Sequence, residues 1–386
     1  MVKLIYLDHN ATTPCAPEVV EAMKPFWADN FGNPASRHLA GRRAAKAIMI
    51  ARKQIASSIN CNKNEIFFTS GATESNNIVF LGLLLSNYTT KKRVVVSAIE
   101  HKSITEPANF LIERGFDVVF LPATPDGIVD IKIARKAITA DTTLVSVQAV
   151  NNEIGTIQPI REIAILSHNA GAFFHTDAAQ ALGKIPINIY EWDCDLASFS
   201  AHKLNGPKGI GALYIKGGSK AWPWPVPFRG GGQEGGIRPG TSNVPGIVGF
   251  GKACNLVEEK LAEKNKNLLN IRDFFESRLL SSFPDCIIHG RNTSRVAGTT
   301  SVTIPGIPSD FIIDNLATVC ISNGSACSDG AITASSVLLS LGLDQNTARE
   351  TIRISFGVGT TNEQMETLVK MMVSSTSAIK SSRGKR

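Results

Sequence analysis

A lysine and an aspartate, each at the end of a strand-like run, are the residues of this sequence best placed to do chemistry. Lys203 follows an apolar run that begins at Asp195, and Asp177 ends a run that begins at Ala172. A lysine amine can hold an aldehyde cofactor as a Schiff base, and a carboxylate can keep the ring nitrogen of pyridoxal phosphate (PLP) protonated. The pair therefore predicts an enzyme that uses PLP.

A segment of small residues upstream has the composition of a phosphate-binding turn. Residues 69–76 join a strand-like run to an apolar helical run, which places the backbone N–H groups of Ala72 and Thr73 at a helix N-terminus. The alternative is that Thr73 or Ser75 simply caps the helix. Ser200 and His202, beside the lysine, favour the phosphate site.

Two amide side chains are candidates for the same cofactor. Gln180 follows Asp177 by three residues, and on a turn it would face the same ligand and hydrogen-bond the phenolic oxygen of PLP. Asn152 follows another strand-like run and could do the same. A lone aspartate at such a position is otherwise typical of a turn or a helix cap.

The elements that must position these residues form an alternating pattern between residues 65 and 215. Short apolar or β-branched runs alternate with longer helical patterns, which predicts an α/β fold with a large, mostly parallel sheet. Ligands of such sheets bind beyond the carboxyl ends of the strands, so the polar residues found there are expected to meet in one crevice. The runs are 66–69, 94–97, 118–121, 144–147, 172–175 and 212–215.

The pattern changes after a stretch rich in glycine and proline, residues 223–246, which is expected to be loop. Long helices with many lysines and glutamates follow it, and then strand-like runs at 301–304 and 351–356. We expect an extended segment at 1–20 that contributes to a small domain, a large PLP-binding domain at 21–250, and a smaller α+β domain at 251–386.

The composition is that of an ordinary globular protein, with 43% hydrophobic and 19% charged residues in a chain of 386. Its basic residues are dispersed, so the net charge of +7 is only a weak indication of nucleic-acid binding, and we expect no direct binding. The seven cysteines lack CxxC spacing, which predicts neither a disulfide framework nor a metal site. Without a long apolar run, the chain is expected to be cytoplasmic and to have no membrane partner.

Taken together, the motifs resemble those of cysteine desulfurases of the NifS/IscS type, including the DndA-type members, within the class V aminotransferase-like PLP enzymes of fold type I. They occur in the order typical of that family and span nearly the whole chain. The segments that carry the resemblance are 6–14, 32–36, 69–76, 100–101, 152–155, 175–180, 200–203, 229–234, 238–241 and 325–327.

The resemblance implies a role for each matching residue. Lys203 would bind the cofactor covalently, His101 would stack on its ring, and Asp177 would hold the ring nitrogen. Arg353 would bind the substrate carboxylate, as its planar fork of donors allows. The phenolic oxygen would be held by Asn152 and Gln180, and the phosphate by Ala72, Thr73, Ser200, His202 and, from the partner subunit of a homodimer, Thr241.

Cys327 lies in a segment of small residues, 322–330, that is typical of a loop. A thiolate there could take sulfur from L-cysteine as a persulfide, release alanine, and pass the sulfur to an acceptor protein. The resemblance implies this role, with His101 as the acid/base group. Iron–sulfur cluster assembly, thio-modification of nucleic acid and DNA phosphorothioation remain open as the destination of the sulfur.

Two other functions remain open from the residues alone. A selenocysteine lyase or another class V aminotransferase-like enzyme would use the same cofactor site without needing a persulfide on Cys327. A catalytically idle partner protein would retain the fold only, although an intact Lys203 argues against it.

Overall fold

A computed structural model describes residues 4–86, 91–323 and 334–383, with side chains described as far as residue 376. The predicted α/β architecture with a large, mostly parallel sheet is confirmed. The strands are β1 (Ile5–Tyr6), β2 (Ile66–Thr69), β3 (Arg93–Ser97), β4 (Asp117–Leu121), β5 (Thr142–Ser146), β6 (Phe173–Asp177), β7 (Leu196–Ser200), β8 (Gly211–Ile215), β9 (Ile287–Ile288), β10 (Thr299–Thr303), β11 (Val319–Cys320) and β12 (Thr351–Ser355). The helices are α1 (Pro17–Met23), α2 (Leu39–Ser58), α3 (Ala72–Leu85), α4 (Lys102–Glu113), α5 (Ile131–Ala137), α6 (Ile160–Asn169), α7 (Ile189–Trp192), α8 (Val244–Ser282), α9 (Ser309–Asp314), α10 (Ser336–Ser340), α11 (Gln345–Arg349) and α12 (Asn362–Arg383).

The large sheet has the strand order β2-β8-β7-β6-β5-β3-β4. Strand β8 pairs antiparallel with both β2 and β7, and the remaining pairs are parallel. The carboxyl ends of β2, β3, β5, β6 and β7 therefore lie along one edge of the sheet. The residues predicted to hold the cofactor within one subunit lie at or just beyond the ends of these five strands: Ala72, Thr73, His101, Asn152, Asp177, Gln180, Ser200, His202 and Lys203.

Both faces of the large sheet are covered, as parallel sheets require. Successive side chains of β3 lie on opposite faces of the sheet. Val95 packs into the core beneath α2, α6 and α8, whereas Val94 and Val96 pack into the core beneath α3 and α4. Burial of these apolar side chains holds the five strand ends in a fixed order.

A second sheet, β12-β10-β9, is antiparallel and has its own core. Helix α8 connects the two cores, because Phe250 near its start packs beneath the large sheet while Phe275 and Leu279 pack against the small one. The single helix begins at Val244, slightly inside the expected loop. The domain boundaries given above stay a prediction.

The N-terminal segment reaches across to the second core. Strand β1 pairs with β11, Leu7 is buried beside Ile352 and Ile354, and Asp8 forms a bridge to Ser355. Residues 8–13 are thereby held over the edge of the large sheet. Across the described ranges, no helix is both long and apolar enough to cross a membrane.

Candidate active site

Asp177 is buried at the end of β6 and is held by two donors. Its Oδ2 accepts from Asn76 Nδ2 at 2.8 Å, and its Oδ1 accepts from the backbone N–H of Ala179 at 2.9 Å. The same Asn76 amide donates to Ser103 Oγ at 2.8 Å, which links helices α3 and α4 behind the carboxylate. The carboxylate is thus fixed in orientation at the sheet edge and positioned to receive a cationic group.

The turn between β2 and α3 offers free backbone donors rather than a capped helix end. Gly71 is the N-cap residue, and no side chain caps the helix. Thr73 is exposed in the first turn, and the hydroxyl of Ser75 bonds instead to Thr69 Oγ1 at 2.8 Å. Neither hydroxyl is the simple cap considered above, so the first N–H groups of α3, including that of Ala72, remain available for an anion.

Ser200 lies close to this turn because β8 crosses between β2 and β7. A Cβ on Gly211 would lie 2.6 Å from Gly71 Cα and 2.5 Å from Phe199 O, so only glycine allows the backbones to approach so closely. The Ser200 hydroxyl lies 3.9 Å from the position of a Cβ on Gly71. The structure therefore brings together the predicted cradle residues of α3 and β7.

Lys203 lies in the helical turn that follows β7, and its amine points toward the N-terminal segment. The amine donates to the backbone carbonyls of Asn10, at 2.5 Å, and Ala11, at 2.7 Å. Burial lowers its pKa to about 8, with a further decrease from the Arg353 guanidinium and an opposing effect of Asp177. The neutral, nucleophilic form of the amine is therefore far more populated near neutral pH than for an ordinary lysine, and it becomes the major form above about pH 8.

The two histidines of the site are in different environments. His202 Nδ1 lies 3.1 Å from Thr12 Oγ1, and burial lowers its pKa to about 4, so it is neutral. His101 is exposed at the start of α4, where its Nδ1 accepts the N–H of Ser103 at 3.1 Å. Partial desolvation lowers its pKa, and Asp177 acts in the opposite direction. With Nδ1 occupied, Nε2 is the ring nitrogen that remains for a ligand.

Arg353 is buried in β12, not on the surface, and its guanidinium connects the two cores. One terminal nitrogen donates to Asp8 Oδ1 at 2.7 Å, and the other to the Asn152 carbonyl at 3.1 Å. Its Nε and the side-chain oxygen of Asn152 are both buried without a hydrogen-bond partner among the described residues. A buried donor and a buried acceptor that both lack a partner are costly unless a ligand binds them.

Gln180 and Asn152 are both joined to Asn10. Gln180 Nε2 donates to the Asn10 carbonyl at 2.9 Å, and Asn10 Nδ2 donates to the Asn152 carbonyl at 3.1 Å. Because Asn10 also accepts from Lys203, one residue of the N-terminal segment contacts three of the predicted site residues.

Comparison with a family model and with named relatives identifies the family of this chain. Residues 5–368 match the family model described as aminotransferase class-V. The chain belongs to the aminotransferase class-V family. It is 40% identical over 371 residues to the cysteine desulfurase IscS of Rickettsia typhi, and the alignment covers 96% of this chain and 90% of that relative. The resemblance drawn from the motifs is thereby confirmed.

Solved structures of similar proteins agree with this class-V assignment. A NifS-like protein has a TM-score of 0.88 and 34% identity, covering 96% of this chain and 98% of that chain. SspA in complex with cysteine has a TM-score of 0.82 and 35% identity, covering 91% and 98%. DndA from Streptomyces lividans has a TM-score of 0.75 and 34% identity, covering 89% and 97%.

Two further residues were predicted from the sequence to belong to the site of this class-V chain. Cys327 lies outside the described residues, within the gap at 324–333. The described ends of that gap are anchored beside the site: the backbone of Ser322 pairs with Arg353, and Ser335 Oγ donates to Glu153 Oε2 at 2.5 Å. Thr241 is exposed just before α8.

Sequence reasoning missed Asn10, Asp8 and Lys184 as members of the site. Asn10 and Asp8 lie within a motif that carried the resemblance, which was the available signal. Lys184 follows Gln180 by four residues, and its amine donates to Gln180 Oε1 and, at 2.6 Å, to Asn10 Oδ1. The spacing between Gln180 and Lys184 could be read from the sequence, but the hydrogen-bond partners of Lys184 could not.

Proposed function

We propose that this protein is a PLP-dependent cysteine desulfurase, which converts L-cysteine to L-alanine and leaves the sulfur as a persulfide on Cys327. The named relatives support the activity, since the similar IscS is called a cysteine desulfurase and the similar SspA is described in complex with cysteine. The observation that carries the proposal is the placement of Lys203 and Asp177 at one sheet edge beside a free helix N-terminus.

The residues present fit PLP on three independent counts. The Asp177 carboxylate is fixed by two donors, the first turn of α3 offers unpaired N–H groups beside Ser200, and the Lys203 amine has a depressed pKa. When bound, PLP supplies an electron sink for bonds broken at the substrate α- and β-carbons. In this arrangement Asp177 would face the ring nitrogen, His101 the ring, and Gln180 and Asn152 the phenolic oxygen side.

L-cysteine would bind through its carboxylate to Arg353. The guanidinium retains its Nε for this contact, while Asp8 and the Asn152 carbonyl hold the other two nitrogens in plane. The nearby free oxygen of Asn152 is an acceptor for the substrate amine or thiol. Arg353 also pairs with the backbone of Ser322, so a substrate bound to it would lie near the described residues that precede Cys327 in the chain.

Protons would be moved by Lys203 and His101. Lys203, with a pKa of about 8, can both accept and release a proton near the substrate α-carbon. His101 has its Nδ1 occupied by Ser103, which leaves Nε2 for the substrate thiol. Cys327 as thiolate would attack the substrate sulfur: an S–S bond forms, the substrate C–S bond breaks, and the released carbon takes a proton to give alanine.

We further propose a homodimer in which Thr241 reaches the phosphate of the other subunit. The segment before α2 and the first residue of that helix expose large apolar side chains, with Trp27 67%, Phe31 75% and Leu39 56% accessible. A second subunit would cover such side chains. We also propose that the protein is cytoplasmic and that it delivers the sulfur to an acceptor protein. The likeness to DndA supports DNA phosphorothioation as one destination of that sulfur.

The decisive experiment incubates the PLP-loaded protein with L-cysteine and measures alanine together with the mass of the Cys327 peptide. We expect alanine to form and the peptide to gain one sulfur atom. Lys203→Ala should produce no alanine, and Cys327→Ser should carry no persulfide.

Cys320→Ser is the matched control, because Cys320 lies in the nearby strand β11. It should behave as the unmodified protein does. Persulfide formation that survives in Cys327→Ser would contradict the assignment of the thiol. Rapid turnover of L-selenocysteine by that variant, without turnover of L-cysteine, would instead favour a selenocysteine lyase.

A further inference from the structure

Two lysines behind the active site lack a countercharge. The Lys184 amine bonds to the side-chain oxygens of Asn10 and Gln180, and the Lys264 amine bonds to the Gly183 carbonyl at 2.7 Å. All of these acceptors are neutral, and in the described parts of the chain neither amine pairs with a carboxylate. Burying cations with neutral partners only is unfavourable.

The two amines line a small internal cavity with Lys203. Its volume is about 30 Å³, enough for a water molecule, and His9 also lines it. Burial, followed by the charge of Lys203, lowers the pKa of Lys184 well below its usual value. Burial lowers the pKa of Lys264 to about 8. Burial thus shifts both amines toward their neutral form, and for Lys184 the neighbouring charge of Lys203 adds to the effect.

A larger groove opens to solvent on the other side of Lys184. Its volume is about 440 Å³, and Lys184, Asn265 and Ala297 line both it and the internal cavity. No acidic side chain lines it among the described residues. Its cationic side chains, which define the basic groove, are Lys184, Lys266, Arg272, Arg291 and Arg295.

Two of these cations are already neutralised by carboxylates just outside the groove. Arg295 forms a bidentate pair with Glu276 at 3.0 and 3.1 Å, and Arg272 contacts Asp273 at 3.1 Å. Lys266 and Arg291 have no ion pair among the described residues. Two uncompensated cations around one concavity attract anions and disfavour cationic ligands.

The wall of the groove is built from backbone that other elements fix in place. The Ser294 carbonyl accepts from Ile157 N at 2.9 Å, the Val296 N–H donates to the Gly155 carbonyl at 2.9 Å, and Arg295 forms a bridge with Thr156. On the opposite wall, Asn265 of α8 donates to the Lys184 carbonyl at 2.8 Å. The backbone of the groove wall is therefore fixed before a ligand binds, which lowers the entropic cost of ordering it.

We propose that the basic groove is a binding site for a small multivalent oxyanion, a free phosphate or a phosphate group on a small molecule. Its volume lies in the range of small-molecule sites. The anion would provide the countercharge that Lys266 and Arg291 lack, and Thr293 and Ser294 in the lining would add hydroxyl donors. This site is separate from the phosphate cradle at α3.

The test titrates inorganic pyrophosphate, and separately inorganic phosphate, into the PLP-loaded protein at constant ionic strength, with binding followed by calorimetry. The loaded protein is used because its α3 cradle is then filled. We expect saturable binding at one site, weakened about tenfold or more in Lys266→Gln/Arg291→Gln, since each variant residue loses a charge-assisted hydrogen bond.

The matched control is Lys92→Gln/Arg114→Gln, which removes the same charges from exposed positions near β3 and β4. It should bind pyrophosphate as the unmodified protein does. Absence of saturable binding, or equal binding by the groove variant, would overturn the proposal. Variant-sensitive binding of a DNA oligonucleotide or an acidic peptide, with none of the small oxyanions, would also overturn it. These readouts do not depend on desulfurase activity.

Discussion

Lys184 holds the side-chain oxygen of Gln180, and this contact determines which end of the Gln180 amide faces the crevice. The lysine amine is a donor to both Gln180 Oε1 and Asn10 Oδ1. Gln180 Nε2 is therefore left as the donor, and it currently bonds to the Asn10 carbonyl at 2.9 Å. A donor at this position is what the phenolic oxygen of PLP requires.

Replacing Lys184 by methionine should disturb the cofactor without removing any group that touches the substrate. We expect turnover of L-cysteine to fall about tenfold, because an unsatisfied buried acceptor costs about 1–3 kcal/mol. The visible absorption band of the bound cofactor should also titrate at a changed pH, which a purely structural loss would not produce. Lys132→Met, an exposed change on α5, should leave the titration unaltered.

The depressed pKa of Lys203 predicts the pH dependence of cofactor uptake. Only the neutral amine attacks an aldehyde, so the rate at which PLP combines with the cofactor-free protein should rise with pH and level off above about 8. Arg353→Met removes a cation that lowers this pKa and leaves Asp8, which raises it. The midpoint should then move to higher pH in rapid-mixing experiments. A midpoint that stays in place would show that Arg353 does not act on the amine.

Glu100 predicts a dependence of stability on pH. Burial raises its pKa to about 8, partly opposed by bonds from Ser97 and Gln148. The folded protein therefore holds a proton that the unfolded chain releases above its ordinary pKa of 4.5. The contribution of Glu100 to the free energy of unfolding is fully present below that value. It is lost as pH rises toward 8, by up to about 1.4 kcal/mol per pH unit.

Glu100→Gln should remove this loss. The free energy of unfolding is measured with urea at a series of pH values. As pH rises from about 5 to about 8, the value for the variant should increase relative to that of the unmodified protein. Glu106→Gln, an exposed change on α4, serves as the control. Parallel pH profiles for all three proteins would exclude Glu100 as the titrating group.

Gly211 predicts a steric limit on the phosphate cradle. A Cβ at this position would meet backbone atoms of Phe199 and Gly71, which cannot rotate away as a side chain can. Gly211→Ala should cost about 1–3 kcal/mol of stability and weaken PLP binding in equilibrium titrations. Gly232→Ala is the matched control, because nothing lies within 4 Å of its Cβ position. Equal PLP affinity in the two variants would show that the close approach is not needed.

The local pattern of apolar runs correctly predicted that Asp177 and Lys203 lie at strand ends. Each residue closes its own apolar run, and the order of strands and helices along the chain implied a parallel sheet, so both residues had to lie at one edge. The cradle at Ala72 followed for the same reason. The expected loop before α8 was slightly too long, because Asn243 caps the helix ahead of Gly246.

The sequence by itself determined the chemistry available at the sheet edge and, through its motifs, the family. Only the tertiary structure decided what surrounds it. Asn10 meets Lys203 across nearly two hundred residues, and Arg353 meets Asp8 across more than three hundred. Such contacts depend on how two cores pack along α8 and on where β1 pairs, and no local period or spacing encodes those long-range arrangements.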